Sequence, residues 1–321
     1  MKIIDSVLEI KEHYSAIQSG LNISDIKSYI DDAINLHLVR AIGLQQYSDL
    51  VAMKNKEDSS AAQKHLIFQL QRSAAGFTLA YYTNSGAVQI NSAGISVIKG
   101  NNSAPVSDKK LAALKKQCMS DGYRSLEHAV ILMENSPLVF TAYHTSQERQ
   151  IQRSRILSVS TEYSNSGILI TPQLCQALTG FQQSIEQDII EPLLGENLLK
   201  HIKACLLSGP VSPKEQQLID KIRLVMSRLI LAEAILYLPI VINEDDGCFD
   251  LSPNADSSNQ IHAAVQNRLV RAMIMMRDNG ESNLESLRKW LKKNALEFST
   301  YTLPAEIKMN DSSCSNIYSF L

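Results

Sequence analysis

The side chains of this chain with chemistry to offer are its arginines, acids, histidines and cysteines, and few of them come close together in sequence. "RQIQRSR" places Arg149, Arg153 and Arg155 in one short run. On a helix Arg149 and Arg153 share a face, because residues four apart are neighbours there. Such a cluster suits a phosphate or an acidic protein surface, and it equally suits a solvated charged linker. "NEDDG", Asn243–Gly247, is the densest acidic run. Cation loops alternate their oxygen ligands and close on a Glu at a fixed distance. Here the acids are consecutive and no such Glu follows, so the run reads as a solvated turn. Asp31 and Asp32 in "YIDDA" fall early in a predicted helix, where negative charge complements the dipole. "LRKWLKK", Leu287–Lys293, sets Arg288, Lys289, Lys292 and Lys293 around Trp290 at a predicted helix C-terminus, where cations are favourable in themselves.

The seven histidines read as isolated residues. His128 follows Glu127 on a predicted helix, and adjacent helical residues do not face one another. The five cysteines, Cys118, Cys175, Cys205, Cys248 and Cys314, are an odd number spread along the chain. They read as reduced thiols rather than as a disulfide framework or a zinc site. The chain has no GxGxxG, no P-loop and no GxSxG. The expectation is therefore no catalytic residue, no cofactor and no metal.

Composition narrows the classes further. The chain has 321 residues, 45% of them hydrophobic and 20% charged, with a formal net charge of −2. That length suits about two domains, each with its own core. The charge balance gives no global reason to expect nucleic-acid or membrane-surface binding. The N-terminal "MKIIDSVLEIKEHY" carries charges inside its apolar run and makes a poor secretory signal. The longest apolar stretch, around Leu229–Ile242, is interrupted by Glu233 and Pro239 and falls short of the ~20 residues of a membrane span.

What positions these residues is a repeated phrase. "IEQDIIEPLLGENLLKHI" (Ile185–Ile202) reads as helix, glycine, helix, and "YIDDAINLHLVRAIGLQQYSDL" (Tyr29–Leu50) reads the same way. Laying Gly195 on Gly43 sets an offset of 152 (195 − 43). At that offset Leu38 meets Ile190, Leu50 meets Ile202, and Phe77 meets Leu229. Ser60 with Gln63 meets Ser212 with Glu215, and both pairs spell the Ser-x-x-Gln/Glu box of a helix start. Beyond Ile90 the second copy carries about six extra loop residues. The register then resumes at 158 (280 − 122), with Cys118 on Met276, Gly122 on Gly280 and Leu126 on Leu284. Caps, loop glycines and strand-like segments arriving in one order point to duplication.

Each copy predicts a helix near 24–41 (175–191), a glycine break, a helix near 44–54 (196–207) and a long helix over 60–83 (212–237). A short hairpin or arm follows at 87–98 and 239–249, where apolar residues lead into a polar turn. Two last helices are expected on either side of Gly122, and likewise of Gly280. The fold class is thus mainly α: two tandem related helical bundles, each with a short β-hairpin or arm. The boundaries are 1–136 for the first repeat, 137–173 for a linker with some strand character, 174–302 for the second repeat and 303–321 for an extended tail. Partner contacts are expected at Ile90, Ile95, Ile98, Ile242 and Phe249 of the hairpins and at Arg149, Arg153 and Arg155.

"LNISDIKSYIDDAINLHLVRAIGLQQYSDL" and "FQQSIEQDIIEPLLGENLLKHI" resemble a group of phage and prophage proteins of Bacteroidetes-type hosts that look like head-to-tail connectors of tailed phages. The first copy departs from their pattern, with Arg40-Ala41 where the second has Pro192-Leu193. The resemblance implies a structural, non-enzymatic ring subunit of the virion, assembled in the host cytoplasm. It would bind portal and neighbouring tail or connector proteins, form a homo-oligomeric ring, meet DNA only as passing cargo and bind no membrane. The alternative is an intracellular helical scaffold module that binds a partner protein. A nucleic-acid binder working through the arginines, and an enzyme using Asp245 or His128, rank behind these.

Overall fold

A computed structural model of the chain describes residues 2–15, 21–56, 58–83, 88–91, 94–97, 107–209, 211–243, 246–252, 263–298 and 300–301. It is mainly α, and its helices fall into two consecutive sets. The first set is α1 (Val7–His13), α2 (Ile23–Ala33), a π turn (Ile34–Leu38), α3 (Val39–Ile42), α4 (Leu44–Met53), α5 (Ala61–Tyr82), the hairpin β1 (Val88–Asn91) and β2 (Gly94–Val97), α6 (Asp108–Glu134), α7 (Thr141–His144) and α8 (Gln147–Arg153). The second is α9 (Ser160–Asn165), α10 (Pro172–Ala177), α11 (Thr179–Ile185), a π turn (Glu186–Ile190), α12 (Glu191–Leu194), α13 (Glu196–Ser208), α14 (Pro213–Tyr237), the hairpin β3 (Ile240–Ile242) and β4 (Phe249–Leu251), α15 (Ala263–Lys293) and a 3₁₀ turn (Ala295–Glu297).

The sequence repeat is a structural repeat. Gly43 and Gly195 hold nearly the same left-handed backbone, φ 82 and ψ 150 against φ 77 and ψ 151. That region is costly for any residue with a Cβ. Ser60 and Ser212 each cap a long helix in a full reciprocal box with Gln63 and Glu215. The π turns are 152 residues apart as well. Their cause is visible in the first copy, where Ile26, Ile30, Ile34, Leu38 and Ile42 are all buried. A strict four-residue spacing drifts about 40° per step on a 3.6-residue helix. A wider i→i+5 turn absorbs the drift and keeps the stripe on the core.

Gly122 and Gly280 do not separate helices, as the sequence reading expected. They lie inside the continuous α6 and α15. Their role is close approach between long helices. A Cβ on Gly122 would stand 2.8 Å from the Phe77 ring, and one on Gly280 would stand 2.6 Å from Leu229 Cδ2. Phe77 and Leu229 are themselves repeat partners, so each copy crosses its two longest helices, α5 on α6 and α14 on α15, at the same glycine. Asp31 and Asp32 also differ from expectation. They sit in the middle of the 23–42 helical run, and Asp31 pairs with Lys2 rather than with a helix end.

The segment 137–173 is not a linker with strand character. It holds α7, α8, α9 and the start of α10, and its one strand-like feature is a bridge from Ile170 to Phe249. Its residues divide between two cores. Phe140 and Tyr143 pack with Ile4, Leu38 and Phe77, while Ile156, Leu157 and Tyr163 pack with Ile190, Leu218 and Leu291. The division follows the repeat. Phe140 and Tyr143 are the partners of Phe298 and Tyr301 at the offset of 158 (298 − 140), and Phe298 is likewise buried. Upstream, Ile3-Ile4 matches Ile156-Leu157 at an offset of 153 (156 − 3). Glu9 then accepts from the backbone of Asp5 and Ser6, as Glu162 does from Ser158 and Val159. Each copy therefore opens on an apolar strap and a short Glu-capped helix, and the two copies abut near residue 154.

Candidate functional site

Where the copies abut, α6 delivers Glu134 and α8 delivers Arg149 and Arg153. From the second copy, α9 delivers Glu162 and α14 delivers Arg223. Arg149 holds Glu134 with two parallel bonds, Nε to Oε1 at 2.9 Å and Nη2 to Oε2 at 3.0 Å. Tyr143 donates its hydroxyl to the same carboxylate at 3.0 Å. Arg153 lies between the two acids, 3.7 Å from Glu134 and 3.8 Å from Glu162. Arg223 pairs with Glu162 and donates Nε to the Ile156 carbonyl at 2.9 Å. Burial raises the Glu134 carboxyl, but Arg149 and Arg153 more than reverse this and leave it below the usual range. Burial lowers the Arg223 guanidinium, and the Glu162 charge opposes that shift. Three cations face two anions, and Arg153 Nε has no hydrogen-bond partner among the described residues.

These side chains floor a cleft of about 720 Å³ whose far wall is the C-terminal end of α13, Cys205 to Gly209. At its rim the structure gathers three residues that the sequence reading left apart. His201 and Cys205 stand four apart on α13. Glu215 arrives from the first turn of α14 after the chain reverses at Gly209, whose φ is 49. His201 Nε2 is hydrogen-bonded to Glu215 Oε1, and Cys205 Sγ lies 3.6 Å from His201 Nε2 and 3.7 Å from Glu215 Oε1. The His201 bond, followed by the backbone and hydroxyl of Ser212, pulls the Glu215 carboxyl down to about 2. Burial and then the Glu215 charge push the Cys205 thiol up, the opposite of what an activated nucleophile needs.

The expected partner contacts fare unevenly. Arg149 is 9% exposed and locked to Glu134, so it forms an internal ion pair of the first copy and not a docking surface. Arg153 belongs to the same lattice, and Arg155 donates to Thr179 Oγ1 at 3.2 Å. Phe249 is buried against Ile170 and Ile240, and Ile242 packs on the same core. Ile90 and Ile95 pair across the first hairpin, and Ile98 lies outside the described residues. In the acidic run, Asp246 accepts from the Cys248 backbone at 2.9 Å in a turn, while Glu244 and Asp245 lie outside the described residues. Trp290 rests on Phe298 with Lys214 and Lys221 over its ring. Among the described residues no helix is long and apolar enough to cross a membrane.

Two segments of the chain, residues 30–153 and 190–310, match one and the same family, a family of unknown function (DUF6712). The chain belongs to this family. The first DUF6712 segment runs through α7 and α8 to Arg153, so the family unit includes the arginine that reaches Glu162 of the second copy. The two matched segments restate the duplication as two DUF6712 units in one polypeptide. No curated protein and no solved structure matches the chain.

Proposed function

We propose that this chain is a structural subunit of a tailed-phage head-to-tail connector, working by protein–protein contact in a ring and carrying no catalysis. The observation that supports it most is the polarity of the joint. The α8 end of the first copy docks on α13 of the second, beside the cleft that α14 helps to line. The joint pairs elements that are not each other's counterparts: α13 corresponds at the offset of 152 to α4, not to α8. A head-to-tail contact of this kind closes into a ring when its rotation allows, whereas a two-fold contact stops at a dimer.

Two further features agree. Leu138 and Leu296 are repeat partners, and they are 93% and 103% exposed. A single exposed leucine is ordinary, but the same one kept in both copies suits a contact made twice. Each hairpin is also a two-stranded sheet with edge backbone able to pair with a neighbour. The test is to express the chain with the portal and neighbouring tail proteins of its host element, then measure mass by light scattering and particle shape by electron microscopy. The proposal expects rings or portal-bound rings, weakened by Leu138→Ser with Leu296→Ser while the circular dichroism stays unchanged. A monodisperse monomer that ignores the portal overturns it.

A further inference from the structure

We propose that His201, Cys205 and Glu215 form a zinc-binding site that the second copy has and the first lacks. The three ligand atoms, one nitrogen, one sulfur and one carboxylate oxygen, lie within 4.8 Å of one another. Zinc takes this donor mixture, with bonds of about 2.0–2.3 Å in a tetrahedron. The edge of such a tetrahedron is about 1.6 bond lengths, or roughly 3.3–3.8 Å. The Cys205–His201 and Cys205–Glu215 separations, 3.6 and 3.7 Å, already fit it. The His201–Glu215 pair is drawn closer by its hydrogen bond, and a cation replacing that proton needs the two to part by less than an ångström, a small rotamer change. Magnesium and calcium prefer all-oxygen shells, which the thiol and imidazole exclude.

The surroundings are arranged for a ligand set. Ser212 N–H holds Glu215 Oε2 at 2.7 Å, which leaves Oε1 aimed at His201 and Cys205. Outer hydrogen bonds of this kind fix carboxylate ligands. His201 is exposed and Cys205 is part-buried on the cleft wall, so the ion can enter, and three protein ligands leave a fourth position for water. On binding, the Cys205 thiol loses its proton to solvent and the sulfur lone pair forms the metal bond.

The first copy supplies the comparison. At the offset of 152 the same places hold Asp49, Met53 and Gln63. Gln63 caps its helix just as Glu215 does, and its Nε2 rests 3.3 Å from Met53 Sδ. The same scaffold there holds a neutral thioether–amide contact. The metal would clip α13 to α14 and set the wall of the cleft, independently of whether the chain assembles into a ring.

The test uses the full chain, purified reduced and stripped with chelator. Cobalt(II) is added and read by absorption, and zinc is titrated against a chromophoric chelator. The proposal expects one equivalent bound, a tetrahedral cobalt spectrum with a sulfur-to-cobalt band, and displacement by zinc. Cys205→Met and Glu215→Gln, which restore the first copy's residues and so keep the fold, should each weaken binding about 100-fold, at or beyond the loss seen for outer-shell changes. Cys248→Ser and Cys314→Ser should leave it intact. Asp49→His, Met53→Cys and Gln63→Glu combined should create a second equivalent. No sulfur band in the parent chain, or a band that survives Cys205→Met, overturns the proposal.

Discussion

Gly122→Ala puts the helix-crossing argument at risk in a measurable way. The new Cβ would stand 2.8, 2.9 and 3.1 Å from three atoms of the Phe77 ring. That ring is fully buried, stacked on His37 at 3.7 Å and met edge-on by Tyr123 at 4.9 Å. It has nowhere to go, so overpacking costs about 1–3 kcal/mol. Replacing a mid-helix glycine by alanine returns about 1 kcal/mol. The net expectation is a loss of up to about 2 kcal/mol. At Gly280 the clashing atoms are Cδ2 and Cγ of Leu229, at 2.6 and 2.9 Å, in an aliphatic side chain with more rotamers than a stacked ring, so Gly280→Ala should cost less than Gly122→Ala. Urea unfolding separates the two, because Trp290 is the one tryptophan and packs in the second core. For Gly122→Ala the circular dichroism midpoint should fall, and the fluorescence midpoint should follow only as far as the joint couples the copies. Adding Phe77→Leu should abolish the cost of Gly122→Ala. An unchanged or raised midpoint in the single variant would refute the reasoning.

Other consequences can be checked alongside. Glu134→Ala strands Arg149, whose side chain is 10% exposed, and should cost about 3–5 kcal/mol in the same urea assay. Gly43→Ala should destabilise more than Gly195→Ala. Both pay for positive φ, but only at Gly43 does the Cβ meet Glu148, at 2.9 Å, so equal midpoints would contradict this. Burial and then Arg40 depress His37 from 6.5 to about 4. Its contribution is therefore complete above pH 6.5 and fades as the pH falls towards 4, by ~1–2 kcal/mol once its partial exposure is allowed for. His37→Gln should flatten that part of the stability–pH curve. Glu134, held below its ordinary 4.5, stabilises above that pH and loses its share lower still, so Glu134→Gln should flatten the more acidic part.

What could be read from the sequence was what local chemistry enforces. Ser60-x-x-Gln63 and Ser212-x-x-Glu215 announce helix starts because the caps are satisfied within one turn. Gly43 and Gly195 announce breaks because other residues pay for that backbone. The π turns left a signal in the unbroken four-residue spacing from Ile26 to Ile42, but it looks like an ordinary apolar stripe until its drift is followed. Gly122 and Gly280 misled because glycine serves turns and close packing alike, and only the position of Phe77 tells them apart. Residues 137–173 misled through their Ser, Thr and β-branched content, a weak preference that two separate cores overrode. The spacing of His201 and Cys205 was visible on one helix face. Glu215 joins them only once Gly209 has turned the chain, and by itself it reads as a cap.

The handover near residue 154 has one more consequence. Each core there is complete with residues from its own side, and what passes between them is the Arg153–Glu162 pair, the bonds of Ser160 to Glu127, and the packing of α10 on α6. A polypeptide cut between Ser154 and Arg155 would yield two fragments, each with its full complement of buried side chains. They should find each other again through these contacts, and salt would weaken the charged part of the reunion. The peptide link at that point acts as a tether that raises local concentration, so the two units could equally well be supplied as separate gene products.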